Sequence, residues 1–455
     1  MPFGARLGGP TSAALLLVSL AGGAASARAQ TPAAVTANGT ASAAVRPELE
    51  AFDAAWNILK KNYVAETASH VDWDALRAEL RPRAEAARSA DDVRAVIRDM
   101  LARIGQSHFA ILPAPVASDL SGPALQAGDV GSLGFDVGPV DGHLTVTRVE
   151  ADGPAARAGV RTGWILSRVS GRSVDDALAS VADGDDHVRD FRAWALGTAL
   201  LRGRTGTSTD LTFVDGTGAT TARQITRTPE PGHPVKFGNL PTLFARLDAR
   251  PMERNGRTIG VISFNVWMTA ISRSLDEAID RFRSSKGIVL DLRGNPGGVL
   301  TMIMGVSGYF LDAPVNLGVI KTRDSSLNLV ANPRLVGFDG LSVTPFGGPL
   351  AILVDSGSYS ASEIFTGGMQ SIKRARVFGT RTAGGALPAV LEQLPGGDVL
   401  QYAIGDFTTA TGERIEGRGV IPDTVVAPTR AELVAGHDPV LEAALDWIAS
   451  QPESR

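Results

Sequence analysis

The spacing of apolar positions changes along the chain, and the changes divide it. Leu49, Phe52, Trp56, Ile58 and Leu59 recur with helical spacing, as do Trp73, Leu76 and Leu80. Ser89 and Asp91 can cap a third helix carrying Val93, Val96, Ile97, Met100, Leu101 and Ile104. This helical stretch ends at Gly105, and the apolar run 109–112 follows. Between 131 and 228 the pattern alternates, through Leu144, Val146 and Val149, with a short helix near Gly153–Val160. Residues 183–204 add a helix through Phe191, Trp194 and Leu200. From 234 onward, apolar runs at 259–264, 287–292 and 350–354 alternate with helical patterns at 272–284, 299–310 and from 361. That alternation predicts an α/β fold, a central sheet flanked by helices, with ligands beyond the carboxyl ends of the strands.

The beginning of the chain reads differently. Arg6 precedes a short apolar run at 13–20, and Ala27-Arg28-Ala29 has the form of a cleavage site. Residues 1–29 are therefore expected to be a signal peptide, with an uncleaved membrane anchor as the alternative. Residues 30–47, rich in Ala and Thr, read as a disordered linker. The protein is expected to be exported, periplasmic or extracellular, with no stable membrane span after cleavage.

Composition adds limits. With 455 residues the chain needs more than one core, and 44% hydrophobic with 20% charged residues is ordinary for a globular protein. A net charge of −4 gives no reason to expect a nucleic-acid partner. The absence of cysteine excludes disulfides and thiolate metal sites, and the six histidines form no HExxH pair, so no metal and no cofactor is expected. Oligomeric state is not legible.

Three features carry chemistry. Ser360 falls between the run 350–354 and the helix from Ala361, at a strand-to-helix turn where free helical N–H groups favour negative charge. A serine nucleophile needs that setting; Ser360-Ala361-Ser362-Glu363 is equally a capping box. Gly297-Gly298 ends another strand and can bring backbone amides close to a substrate, or simply make a turn. His108 closes the helical region, as a structural residue or as a base.

Two resemblances connect these features. Ser132-Leu133-Gly134-Phe135 and the stretch Gly153-Pro154-Ala155-Ala156 through Ala158-Gly159 look like the carboxylate-binding loop and first helix of a PDZ domain. Asp291-Leu-Arg-Gly-Asn-Pro-Gly-Gly298, Ser360-Ala-Ser-Glu363 and Gly417-Arg-Gly-Val-Ile-Pro-Asp423 resemble, in order, the motifs of the C-terminal processing (tail-specific) peptidases and the related tricorn core. The resemblance implies a ClpP/crotonase-like α/β core at 234–450, an N-terminal helical subdomain at 48–115 and an inserted β-rich PDZ domain at 127–228. It maps the nucleophile to Ser360 and the oxyanion hole to Gly297 or Gly298 with Ala361. It maps peptide binding to Ser132, Leu133, Gly134 and Phe135.

One departure matters. The processing peptidases place a lysine base where this chain has Gly385, and Lys373 lies outside that motif. The tricorn branch uses instead a Ser-His pair and a glutamate, which Ser107-His108 and Glu416 fit, with Glu413 as competitor. The implied set is Ser360 as nucleophile, His108 as base, and Ser107 and Glu416 as orienting groups. Activity is then expected to rise with pH near 6.5, or higher if Glu416 pairs with the imidazole. The implied function is a secreted serine endopeptidase acting on proteins or peptides, selecting C-termini through the PDZ domain. A non-catalytic peptide- or hydrophobic-ligand-binding protein on the same fold is the alternative.

Overall fold

The computed structural model describes residues 47–63, 71–113, 129–235 and 242–452. The expected signal peptide and the linker up to residue 46 lie outside the described residues.

At the centre is a six-stranded sheet in the order Leu247–Arg254, Arg257–Phe264, Ile288–Asp291, Leu350–Val354, Arg376–Gly379, Thr424–Val425. The first two strands form an antiparallel hairpin, and the other neighbours are parallel. Its middle strand Leu350–Val354 is apolar throughout because both faces are covered. Leu350, Ile352 and Val354 point into the larger core, with the helices Ser272–Arg281, Thr301–Ser307 and Ala361–Ser371. Ala351 and Leu353 point the other way, onto Val440, Leu441 and Leu445 of the helix Pro439–Ser450.

Two helices are shorter than their sequence pattern. The pattern at 272–284 is helical only over Ser272–Arg281, where the Phe282 N–H turns back to cap the end. The pattern at 299–310 starts late, at Thr301, after the Val299 N–H has paired with the Trp267 carbonyl at 2.7 Å. It finishes as a 3-10 turn, Gly308–Phe310.

The N-terminal helices Pro47–Asn62, Trp73–Ala86 and Ala90–Ala102 share a core of Phe52, Leu59, Leu80, Ile97 and Met100. Asp72 and Ser89 cap the second and third by accepting the N–H of Ala75 and Asp92. This unit is fastened to the rest by the strand Ala110–Leu112, which pairs with Val399–Ala403. A buried, bidentate Arg94–Asp398 ion pair reinforces the joint at 2.9 and 3.1 Å. Arg94 also donates to Asp91 at 2.7 Å, so the joint is part of a small charge network.

The β-rich region is a sheet in the order Phe135–Val140, His143–Val149, Ile165–Val169, Ser208–Val214, Thr220–Thr226. Leu133, Val146, Leu166, Leu211 and Phe213 fill it. The helix Asp186–Leu201 packs beside the edge strand Phe135–Val140 so closely that Gly197 has no room for a Cβ: one would stand 2.6 Å from Val137.

Candidate active site

The turn after Leu350–Val354 brings Ser360 to the carboxyl end of the sheet. Its φ of 56° is in the left-handed region, as is the φ of 60° at His108. A residue other than glycine pays about 1–3 kcal/mol for such backbone and keeps it only where the surroundings impose it. At Ser360 they do. Its N–H donates to the Gly385 carbonyl at 3.0 Å and to Glu363 Oε2 at 3.2 Å. Glu363 supplies its half of the capping box by accepting that N–H. The Ser360 hydroxyl reaches His108, whose Nε2 lies 3.1 Å from Ser360 Oγ.

A chain of hydrogen bonds continues from there. His108 Nδ1 is 2.7 Å from Ser107 Oγ, and the Ser107 hydroxyl donates to Glu416 Oε2 at 2.8 Å. Glu416 Oε1 accepts the Ser107 N–H at 2.8 Å, and Oε2 the Ala386 N–H at 2.9 Å. With Glu416 ionised, the direction is fixed: Ser107 donates to the carboxylate, Nδ1–H donates to Ser107, and Nε2 is left to accept from Ser360. Ser360, His108, Ser107 and Glu416 are thus brought together from three distant segments. Glu413 is elsewhere, paired at the surface with Arg418.

His108 and Glu416 do not touch, so the carboxylate does not raise the imidazole pKa as the sequence led one to expect. Burial pushes His108 down to about 4. Burial also raises Glu416, against the hydrogen bonds that favour its charged form. Glu363, enclosed beneath the turn, is pushed up to about 7 by burial, although Thr382 Oγ1 and the Gly384 and Gly385 amides all donate to it.

The structure distinguishes the two glycines offered for the oxyanion hole. Gly297 donates its N–H to its neighbour Asn295 Oδ1 at 3.0 Å, so it is not a free donor. Its part is steric: a Cβ there would stand 2.7 Å from Ser360 Cβ and 2.9 Å from Ala361 N. Among the described residues, the N–H groups of Gly298 and Ala361 have no hydrogen-bond partner. Gly298, at φ 145°, passes so close to the Trp267 carbonyl that a Cβ would overlap it.

Lysine has no place here. A Cβ on Gly385 would fall 1.9 Å from the Tyr359 ring. Lys373 follows the far end of the helix Ala361–Ser371, about 16 Å from its start at 1.5 Å per residue. Tyr359 itself, which sequence reasoning missed, stacks flat on His108 with ring centres 4.8 Å apart and its hydroxyl 3.2 Å from Nδ1. Its position directly before the nucleophile was the available signal.

One cavity of about 1050 Å³ joins this centre to the β-rich region. His108, Gly298 and Ser360 line one part of it; Phe135, Val137 and Trp194 line the other. Of the four residues in the carboxylate-loop resemblance, Ser132, Leu133 and Phe135 line it and Gly134 does not. Gly134 gives its N–H to Ser132 Oγ at 3.0 Å and packs against Pro154. Because Glu150 N–H bonds the Gly134 carbonyl, Phe135 and Val149 form a non-hydrogen-bonded pair. The Phe135 N–H therefore faces the open edge of the sheet.

An exposed-edge hydroxyl, an oriented imidazole and two free amides on one cavity have the form of a serine-hydrolase centre on an α/β sheet. Comparison with known proteins makes this specific. Residues 258–426 match the model of peptidase family S41, and residues 48–102 that of the tricorn protease C1 domain. The chain is thus similar to peptidase family S41 over its sheet-bearing core and to the tricorn protease C1 domain over its N-terminal helices. It is 26% identical to the chloroplastic carboxyl-terminal-processing peptidase 3 of Arabidopsis thaliana, over 86% of this chain and 72% of that one. It is also 26% identical to a probable CtpA-like serine protease of Staphylococcus haemolyticus, over 68% of this chain. It spans only 55% of that staphylococcal protein's length. Among solved structures, the photosystem II D1 C-terminal processing protease shares the fold with a TM-score of 0.58 at 22% identity, covering 90% of this chain and 98% of that one. Mature CPAF complexed with lactacystin does so with a TM-score of 0.56 at 13% identity, covering 88% and 98%.

Proposed function

We propose that this protein is a serine endopeptidase that hydrolyses peptide bonds by acyl transfer. The observation that carries the reading is the unbroken line Ser360–His108–Ser107–Glu416. Ser360 Oγ attacks the scissile carbonyl while His108 Nε2 takes its proton, and the same Nε2–H then protonates the leaving amine. Ser107 and Glu416 orient the ring and stabilise the imidazolium. The oxyanion falls to the amides of Gly298 and Ala361, each such donor being worth about 3–4 kcal/mol in turnover.

The groove beside Phe135–Val140 supports a second part of the reading. A PDZ-like module would add a substrate's terminal strand to this edge and hold its carboxylate at the Ser132–Phe135 loop. The shared cavity gives a continuous route from there to Ser360. Export, with cleavage near Ala29, completes the proposal and rests on the N-terminal sequence; sequencing the mature N-terminus from the native host tests it.

The deciding experiment is labelling with a fluorophosphonate. Modification at Ser360, lost in Ser360→Ala, is the expected result. A folded protein with an open cavity that takes no label would instead be a binding protein on this fold.

A further inference from the structure

Building on the serine-peptidase reading, we propose that Tyr359 is a positioning residue for His108, and that the helix Asp186–Leu201 of the β-rich region holds it there through Phe191 and Trp194. His108 must point Nδ1 at Ser107 and Nε2 at Ser360 at the same time, so its ring has one useful orientation. Its backbone is in the left-handed region, and regular pairing starts only two residues later, at Ala110. Something must fix the ring plane. Tyr359 lies against it at an interplanar angle of 7°.

The stack does not end there. Phe191 lies on the other face of Tyr359, 4.7 Å away and tilted by 14°, and Trp194 follows at 5.9 Å and 20°. Four rings thus form one column, from the base to a helix that belongs to a different part of the chain. His187, Phe191 and Trp194 recur at i, i+4 and i+7, a single stripe of that helix. His187 is buried, with its Nε2 against Gly384. Trp194 covers Gly357, where a Cβ would come within 2.7 Å of the indole, and lies over Gly294. One stripe therefore meets the loop of Gly384, the serine turn and the turn that ends in Gly298.

Tyr359 is itself held at both ends. Its N–H donates to the Asn295 carbonyl at 3.1 Å, and its ring fills the space that Gly385 leaves empty. Because it precedes Ser360 directly, one turn presents both the nucleophile and the plate behind its base. The ionisable groups around this plate are His108, Glu416 and Glu363, with Arg414 facing Glu416 from behind.

The test uses the full mature chain and two readouts: the rate of fluorophosphonate labelling at Ser360, and titration of the His108 imidazole by NMR. Tyr359→Leu removes the plate and should slow labelling about a hundredfold, the scale of a misplaced catalytic group. It should also move the His108 titration upward, towards the exposed value near 6.5. Phe191→Leu, one ring further out, should slow labelling about tenfold, and Phe191→Tyr should restore it. If Tyr359→Leu does not fold, Phe191→Leu decides by the same readouts. Folded Tyr359→Leu or Phe191→Leu proteins that label and titrate like wild type would overturn the proposal, leaving the column as packing only. Wild-type protein that takes no label would refute the peptidase reading instead, and the NMR titration would still decide whether Tyr359 sets the ring.

Discussion

The two ends of the long cavity are built on opposite plans. At the serine end nearly every polar atom has its partner: Glu416 accepts three hydrogen bonds, Glu363 four, and the imidazole is bonded at both nitrogens. Among the described residues the Gly298 and Ala361 amides have no partner, and the proposed mechanism assigns them the developing charge. At the groove end the backbone of an edge strand is open, beginning with the Phe135 N–H, and the rim carries both signs of charge, as in the Arg148–Asp136 and Arg246–Glu150 pairs. In the proposed function the first end is finished before substrate arrives, and the second is completed by it. Preorganised donors need no rearrangement during reaction, whereas an edge that accepts many sequences must bond to backbone alone.

Breaking the finished end should have the largest effect. His108→Ala should lower turnover on a denatured protein substrate about 10⁴-fold, as loss of a triad base does, without changing peptide affinity for the groove. A folded His108→Ala protein with near-normal turnover would remove the base from the argument. Next comes an effect on stability. His108 titrates at about 4 in the folded chain and near 6.5 unfolded, so the unfolded state binds the extra proton and stability falls as pH drops through that window. The full difference is about 3 kcal/mol. Glu363 opposes it, because its raised pKa of about 7 makes stability rise as pH drops from 7 towards 4.5. His108→Gln separates the two: its stability relative to wild type, measured by urea unfolding, should improve by about 3 kcal/mol between pH 7 and 4. No change in that difference would show that the ring is not buried neutral. For the same reason the base should stay active well below pH 6.5.

Sharpening the groove end calls for smaller effects. Amidating the C-terminus of a peptide removes charge-assisted bonds at the loop and should weaken binding about tenfold; equal affinities across a varied panel would rule out carboxylate capture. The smallest effect should be that of Lys373→Ala, less than about twofold in turnover, because that side chain is a helix length away from Ser360. A large loss there would reopen a lysine mechanism.

Sequence and structure agree where information is local. The strand Leu350–Val354, the turn and the helix from Ala361 could be read from adjacent residues, since apolar period and a capping pattern are short-range signals. His108 and Glu416 needed the family resemblance, because His108 precedes Ser360 by 252 positions and Glu416 reaches it only through Ser107 and His108. Choosing Glu416 over Glu413 took the geometry of Ser107. Tyr359 was hidden for another reason: its role depends on Gly385 having no side chain and on Phe191 arriving from the β-rich region, and neither is visible in its neighbours. The choice between Gly297 and Gly298 has the same origin, since only the fold shows the Gly297 N–H already taken by Asn295.

Gly385 and Tyr359 have a consequence for how such centres change over time. Each occupies space that the other's replacement would need. A lysine at 385 would collide with the tyrosine ring, and removing the ring first would leave the histidine unsupported with no lysine to replace it. A lineage could therefore not pass between histidine and lysine bases here by single neutral steps. The two positions should change together or not at all, and a designed Ser–Lys version of this protein would have to begin with both.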